Sequence, residues 1–275
     1  MLDIRQSVHY ANYMAKTGWK VITAAGVYYY FKKIPLLGNV LKLQRPEEVR
    51  IKKIKELCQK NRVFYIIIEP QNPLDAKLLT SLGYRQTKSS YLPTKTLQID
   101  LTQTSKQIER GMKKDTRAIF RGLHNDTVVK SVKNLESSPE AFFLAWKGAT
   151  GLKRYVLSLE KLKLLKKTFK KRALFLLAND GSAGAVFLTT DKITYYYQAF
   201  TNDAGRKAHN QYRIVFDGIF WAKRMGAKVF DFEGIYDERF PNSSWKGFTH
   251  FKKSFGGYEI SYSGCYTRYS LSLIR

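Results

Sequence analysis

The chain has 275 residues, enough for one large domain or two modest ones, each with its own core. Hydrophobic residues make up 44% of it and aromatic residues 14%, which excludes wholesale disorder. The 48 Lys and Arg outnumber the 22 Asp and Glu and leave a charge of +26, so a polyanion is expected as partner: RNA, DNA, an anionic membrane face or a phosphorylated substrate.

The 2 cysteines, Cys58 and Cys265, lie far apart and outside any Cys/His cluster. That excludes a disulfide framework and a zinc site of the usual spacing, and no metal is expected. It also fits a reducing cytoplasm. No apolar run approaches the roughly 20 residues of a membrane helix, and Met1–Arg5 lacks the basic-then-apolar pattern of a signal region. A cytoplasmic location is therefore expected.

In chain order, residues 21–31 and 39–44 read as strands rich in Val, Ile and Tyr, with a turn around Pro35–Gly38. Pro46-Glu47-Glu48 is expected to open a helix running to about Lys60, acids in its first turn and bases in its last. Residues 64–69 form an apolar strand buried on both faces, 73–82 a helix stopped by Gly83, and 97–101 another strand.

The texture then changes. Residues 104–123 are predicted as one helix carrying Lys106, Arg110, Lys113, Lys114 and Arg117. A strand at 128–132 and helices at 139–147 and 157–169 follow. Residues 174–178 and 183–188 read as a hairpin joined through Asn179-Asp180-Gly181, and 194–200 as a third strand. A long helix over 208–225 leads to a strand at 229–232, a polar loop, an aromatic and basic helix, and a last strand over 258–268. The outline is a mixed-sheet α/β (α+β) chain of two similar units.

The most informative stretch is residues 228–257. Its strand ends in Asp231, Glu233 and a glycine, and its helix is closed by Gly256-Gly257. Acids at the C-terminal edge of a strand sit where open α/β sheets hold ligands.

These landmarks resemble the Fem-type (FemABX family) aminoacyltransferases, which build interpeptide bridges in peptidoglycan. Gln6-Ser7 followed by Gly18-Trp19 is similar to the family's opening, and Gln44-Arg45-Pro46 to its strand-ending motif. Residues 93–101 (PTKTLQIDL), then Met112-Lys113-Lys114 and Arg117, look like the entry to its second domain. Residues 195–200 fall at its Y-x-Y-x-A-S position, residues 230–235 resemble Y-D-F-x-G-I, and 251–257 resemble F-K-x-x-F-G-G. The similarity covers nearly the whole chain. The chain departs from the pattern in carrying Ser158 four residues after Arg154, where the family has tyrosine. It also lacks the helical-hairpin insertion of some members, and Lys16 is the nearest counterpart of a first-domain substrate lysine.

The resemblance implies two tandem acetyltransferase-like (GNAT) domains, residues 1–95 with 264–275 returning to them, and residues 96–263. It also implies transfer of an amino acid from aminoacyl-tRNA to an amine of a peptidoglycan precursor, with no cofactor besides the charged tRNA. Such an ester is already activated, so no covalent nucleophile is needed; the reaction requires close approach and positive charge at the developing oxyanion. Lys252, flanked by aromatics and matched by the motif, is expected in that role. Asp231 and Glu233, at i and i+2 of a strand, are expected on one face, either to accept the ammonium proton or to orient the amine.

Tyr195 and Tyr197 are expected to share a strand face on which a sugar or base stacks, with Tyr196 more buried, and Arg154 to fork onto a pyrophosphate. The cations of 106–117 with Lys163, Lys166, Lys167 and Lys170 suit a tRNA backbone, and would equally suit an anionic membrane leaflet. Two alternatives remain open. One is a coenzyme-A-dependent N-acyltransferase, disfavoured because no [RQ]-x-x-G-x-[GA] loop occurs. The other is a non-catalytic RNA- or membrane-binding module, which leaves Asp231, Glu233 and Lys252 unexplained.

Overall fold

A computed structural model describes residues 1–124, 134–150 and 156–270. Contact density divides the chain into two units: Met1–Lys95 with Tyr236–Asn242 and Ile260–Arg275, and Thr96–Ile235 with Ser243–Glu259.

The first unit opens with a helix absent from the sequence expectations, α1 (Val8–Lys16), whose Ser7 cap accepts from the Tyr10 N–H. Three strands follow: β1 (Lys20–Ala24), β2 (Val27–Ile34) and β3 (Gly38–Gln44). The single strand expected over 21–31 is thus a hairpin, because Ala25 and Gly26 are both left-handed, as a two-residue turn requires. Helix α2 (Ile51–Lys60) starts five residues after Pro46, so Glu47 and Glu48 lie outside it. The intervening backbone is held instead by the Asp75 carboxylate, which accepts from the Val49 N–H at 3.1 Å. Strand β4 (Val63–Glu69), helix α3 (Pro73–Ser81) and the short β5 (Arg85–Gln86) complete this stretch.

In the second unit, β6 (Lys95–Asp100) leads to α4 (Ser105–Gly111) and α5 (Lys114–His124). The one helix expected over 104–123 breaks at Met112, whose backbone is extended, and Lys113 N–H donates to the Ser254 carbonyl. Next come β7 (Asn134–Glu136), α6 (Pro139–Thr150) and α7 (Leu159–Phe169), capped by Ser158. The strand expected over 128–132 lies outside the described residues. Strands β8 (Ala173–Ala178) and β9 (Ala183–Thr189) form the expected hairpin, and β10 (Ile193–Thr201) follows. A short helix absent from the sequence expectations, α8 (Asp203–Lys207), precedes α9 (Asn210–Arg224), which is the long helix expected over 208–225. Strand β11 (Val229–Gly234), helix α10 (Lys246–Lys253) and strand β12 (Tyr258–Ser261) complete the unit.

The last strand, β13 (Tyr266–Tyr269), leaves the second sheet and pairs antiparallel with β4 and β5 of the first. The strand expected over 258–268 is therefore two strands in two sheets, separated at left-handed Gly264. Among the described residues the first sheet has the order β1-β2-β3-β4-β13-β5 and the second β12-β6-β11-β10-β9-β8-β7. Both are mixed, with parallel pairing of β3 to β4 and of β10 to β11. These are the two tandem GNAT-like folds with the C-terminal strand returned to the first.

The second core packs α9 against the sheet so closely that a Cβ on Gly218 would lie 2.3 Å from the buried Phe187 ring. Gly256 and Gly257 close α10 for a similar reason. Both are left-handed, and a Cβ on either would meet the carbonyl of Gly111 at 2.3 Å or of Gln98 at 2.2 Å. That explains the glycine pair physically. Gly257→Ala should lower the unfolding free energy by about 1–3 kcal/mol, from backbone strain and the carbonyl clash. Urea denaturation followed by intrinsic fluorescence measures it.

Candidate active site

Strands β10 and β11 run parallel for only three residue pairs, Ile193–Val229, Thr194–Phe230 and Tyr195–Asp231. Beyond Tyr195 and Asp231 both carry irregularities: β10 shifts register against β9 between Tyr196 and Gln198, and β11 against β6 between Asp231 and Gly234. Bulges re-aim side chains and end pairing. A cavity of about 650 Å³ opens there, at the carboxyl ends of the two strands. One wall is β10 from Tyr196 to Thr201, another is His209, Gln211 and Tyr212 at the start of α9, and a third is Trp245, Phe248, Phe251 and Lys252 on α10 and the turn before it. Glu233 and Gly234 form its floor.

Glu233 is left-handed, with φ of 60°. For a residue with a side chain that conformation costs roughly 1–2 kcal/mol, and here three neighbours hold it. The Glu233 N–H donates to Asp231 Oδ1 at 2.6 Å, and the Thr96 hydroxyl donates to the Glu233 carbonyl. The Lys252 ammonium donates to the carbonyls on either side, Phe232 at 2.7 Å and Gly234 at 2.6 Å. The same ammonium lies over the Phe248 ring at 4.9 Å and the Tyr196 ring at 5.7 Å. Lys252 is only 8% exposed. The residue expected to carry positive charge is thus placed at the cavity, fixed by two carbonyls and two rings.

Asp231 has a different place from the one expected. It is buried, does not line the cavity, and holds β6 to β11, with Oδ1 at 2.5 Å from Thr96 Oγ1 and Oδ2 accepting from Gln98 Nε2 at 2.8 Å. The left-handed Glu233 interrupts the strand alternation, so the two carboxylates do not present one shared catalytic face. Burial, with the Glu233 carboxylate nearby, pushes the Asp231 carboxyl up to about 6. The geometry agrees. The Thr96 hydroxyl has one proton and two acceptors in reach, Asp231 Oδ1 and the Glu233 carbonyl, and a protonated Asp231 lets both contacts be made.

The tyrosines are also redistributed. Tyr195 is buried at 2% exposure and away from the cavity, whereas Tyr197 and Tyr196 both line it. The bulge after Tyr196 breaks the i, i+2 alternation on which the Tyr195–Tyr197 pairing rested. Lys16 is exposed at the end of α1 in the first unit and does not line this cavity, whose wall belongs wholly to the second. Arg154 lies outside the described residues. Lys106, Arg110, Lys113 and Lys114 are exposed on α4, α5 and the turn between them, and Arg117 donates to the Arg110 carbonyl at 3.1 Å. On α7, Lys163 pairs with Glu140 at 2.9 Å and Lys166 with Glu136 at 2.6 Å, while Lys167 and, just beyond, Lys170 are exposed.

Sequence reasoning missed His209, Gln211, Trp245 and Phe248. The i, i+3, i+6, i+7 spacing of Trp245, Phe248, Phe251 and Lys252 would have found the α10 wall. Left-handed His209, the cap of α9, carries no such signal. Among the described residues no group of three or more His, Cys, Asp or Glu is placed to hold a metal ion.

Because the folded pKa of Asp231 is raised, its neutral form favours folding. That contribution is complete below the unfolded value of about 3.9 and is lost as pH rises through about 6. Asp231→Asn keeps a neutral group at the position. Its unfolding free energy relative to the parent should therefore climb with pH across that window in urea titrations. Thr96→Val, which removes the hydroxyl from two buried acceptors, should cost about 1–3 kcal/mol in the same assay.

No family profile matches the chain, and no curated protein matches it in sequence. Solved structures do. The chain is similar to FemX, with a TM-score of 0.80 at 15% identity over 99% of this chain and 93% of that one. It is also similar to L-PGS from Bacillus licheniformis, at 0.60 and 14% identity over 97% and 88%. A tandem GNAT protein from the clavulanic acid biosynthesis pathway gives 0.52 at 10% identity over 90% and 81%. At these identities the likeness is one of fold: the chain has the tandem GNAT architecture that the Fem-type structure shares.

Proposed function

We propose that this protein is an aminoacyltransferase that moves an amino acid from aminoacyl-tRNA to an amine of a peptidoglycan precursor, with the charged tRNA as co-substrate and no further cofactor. The observation that carries this reading is the buried Lys252 ammonium at the wall of an aromatic cavity, where the parallel strands part. Attack of an amine on an ester carbonyl builds negative charge on the carbonyl oxygen. A preorganised cation in a partly desolvated site stabilises that charge. Glu233 orients an amine through its carboxylate, and Tyr196, Tyr197 and Trp245 supply faces for a sugar or base. Arg154 and Lys16 remain proposals for acceptor contact.

The exposed cations of α4 and α5 suit a phosphate backbone, and the Lys113–Ser254 hydrogen bond ties their junction to the helix of Lys252. Lys163 and Lys166 contribute less, since each already faces a carboxylate. The same cations suit an anionic leaflet bearing a lipid-linked acceptor. Among the described residues no helix is long and apolar enough to cross a membrane.

The coenzyme-A reading has the GNAT fold in its favour, but it needs an anion site at the start of α9. There Asn210 and Gln211 are buried, and the Asn210 amide donates to Ser182 Oγ at 2.8 Å. Coenzyme A should leave the melting temperature unchanged, whereas charged tRNA raises it.

Purified protein should consume aminoacyl-tRNA when given wall precursors, nucleotide- or lipid-linked. Lys252→Met should cut turnover by about 10²–10³ and leave tRNA affinity within a few-fold of the parent; equal turnover would refute the role. Replacing Lys106, Lys113 and Lys114 together by Gln should weaken tRNA binding and flatten its dependence on salt, by about 0.7–0.9 in logarithmic slope for each phosphate no longer neutralised.

A further inference from the structure

In the first unit the turn between β2 and β3 carries leucine where a turn least favours it. The Leu37 N–H donates to the carbonyls of Ile34 at 3.2 Å and Pro35 at 2.8 Å, and Leu36 before it is left-handed, with φ of 66°. A bond from residue i+2 back to residue i across a left-handed residue belongs to the rare, strained form of γ-turn. Glycine or asparagine fills such positions without that strain. Leucine gains nothing from packing here either: Leu36 is 106% exposed and Leu37 54%. Exposed leucines scattered singly are ordinary. Two in succession at the apex of a strained hairpin oppose folding on both counts, and a local rule broken without gain to the fold points to a contact outside it.

The end of the sheet that bears this turn gathers cations. By register β1 begins here, β2 ends here, and β3 and β4 begin here, with Lys20 opposite Phe31, Lys33 opposite Asn39 and Asn39 opposite Val63. Lys20, Lys32 and Lys33 stand on the strands, and Lys60 and Arg62 lie where α2 passes to β4. The Arg62 carbonyl accepts from the Asn39 N–H at 3.0 Å, which brings that loop beside the turn. Lys33 and Arg62 are exposed, with no ion-pair partner among the described residues. Residues 4–46 hold seven Lys and Arg and no Asp or Glu. Glu56 of α2 is already paired, with Lys53 at 2.8 Å and Lys60 at 3.0 Å. Amphipathic rings stand to either side. Trp19, just before β1, lies 6.0 Å from the Lys32 ammonium, and the exposed Tyr269 ends β13, opposite Tyr65 of β4.

An apolar tip ringed by cations and flanked by Trp and Tyr matches an anionic lipid surface. Aliphatic side chains enter the acyl boundary, cations meet the phosphates, and amphipathic rings lie at headgroup level. RNA offers phosphates to the lysines but nothing to the leucines, since single strands are held by aromatic stacking. A second copy of the chain is opposed by its own charge of +26. We propose that the β2–β3 tip, Leu36 and Leu37 with Lys33 and Arg62, inserts peripherally into an anionic lipid leaflet. This contact is separate from the cations of α4 and α5, and it does not depend on the donor or acceptor proposed above.

The test uses the full chain and sedimented vesicles of phosphatidylcholine, with and without phosphatidylglycerol. The wild-type protein should bind the vesicles that contain phosphatidylglycerol and leave the others. Leu36→Gly should lower the partition coefficient about tenfold, while its melting temperature stays equal or rises because glycine relieves the turn. Binding lost without loss of stability is a result that a damaged fold does not give. Lys33→Gln with Arg62→Gln should lower the coefficient about fivefold for each cation removed. Leu37→Cys carries an environment-sensitive fluorophore in a chain whose own Cys58 and Cys265 are buried. Its emission should shift to the blue on binding and be quenched by bromine on the lipid acyl chains. A wild type that ignores both kinds of vesicle overturns the proposal, as does Leu36→Gly binding like the parent or a fluorophore that stays in water. Leu36→Gly weakened for an RNA oligonucleotide but not for vesicles overturns it in favour of a nucleic-acid contact. A change of oligomeric state in light scattering, with vesicle binding unmoved, overturns it in favour of self-association.

Discussion

The site depends on one ammonium group hydrogen-bonded to two carbonyls of one strand. Lys252 reaches from α10 to the backbone on both sides of residue 233, and this joins helix to strand where the sheet stops being a sheet. The register of β11 against β6 slips between Asp231 and Gly234, and a buried carbonyl left without a partner at such a slip is destabilising. A buried lysine without acceptors would be still less favourable. Each defect satisfies the other. The result is a cation held at a fixed point on the wall of a cavity and a backbone bend that a strand would not otherwise keep.

Around that contact the second unit is arranged to leave room. The parallel strands separate after three pairs, and the start of α9 and the aromatic face of α10 fill the flanks without closing the gap. The glycines at 256 and 257 let the chain turn immediately after α10, against carbonyls of α4 and β6 that admit no Cβ. Placement of Lys252 is thereby inherited from the packing of three elements. The neighbouring break between α4 and α5 is fixed in the same way, by the Lys113–Ser254 hydrogen bond, and it brings an exposed run of cations to the helix that carries the site.

Much of this was legible in the chain. The apolar strand runs, the Asn-Asp-Gly hairpin and the amphipathic helices report local preference and burial, and the structure follows them. The errors cluster where a local signal met a tertiary one. Two left-handed residues turned one strand into a hairpin at Ala25-Gly26, and 104–123 breaks in two where the Lys113 N–H donates to the Ser254 carbonyl at the end of a distant helix. Alternation put Tyr195 with Tyr197 and Asp231 with Glu233, because alternation is all that a strand pattern can say. Bulges at both places undid it.

The residue types of the site are written in the chain: a lysine among aromatics, acids ending a strand, a closing pair of glycines and a strong excess of cations. The mixed-sheet class is written there too, since hydrophobic period and turn chemistry are local properties. Which acid lines the cavity and which is structural is a matter of folding in three dimensions. That choice turns on a left-handed backbone at Glu233, whose stability comes from Thr96, Asp231 and Lys252, partners as far as 137 residues away along the chain.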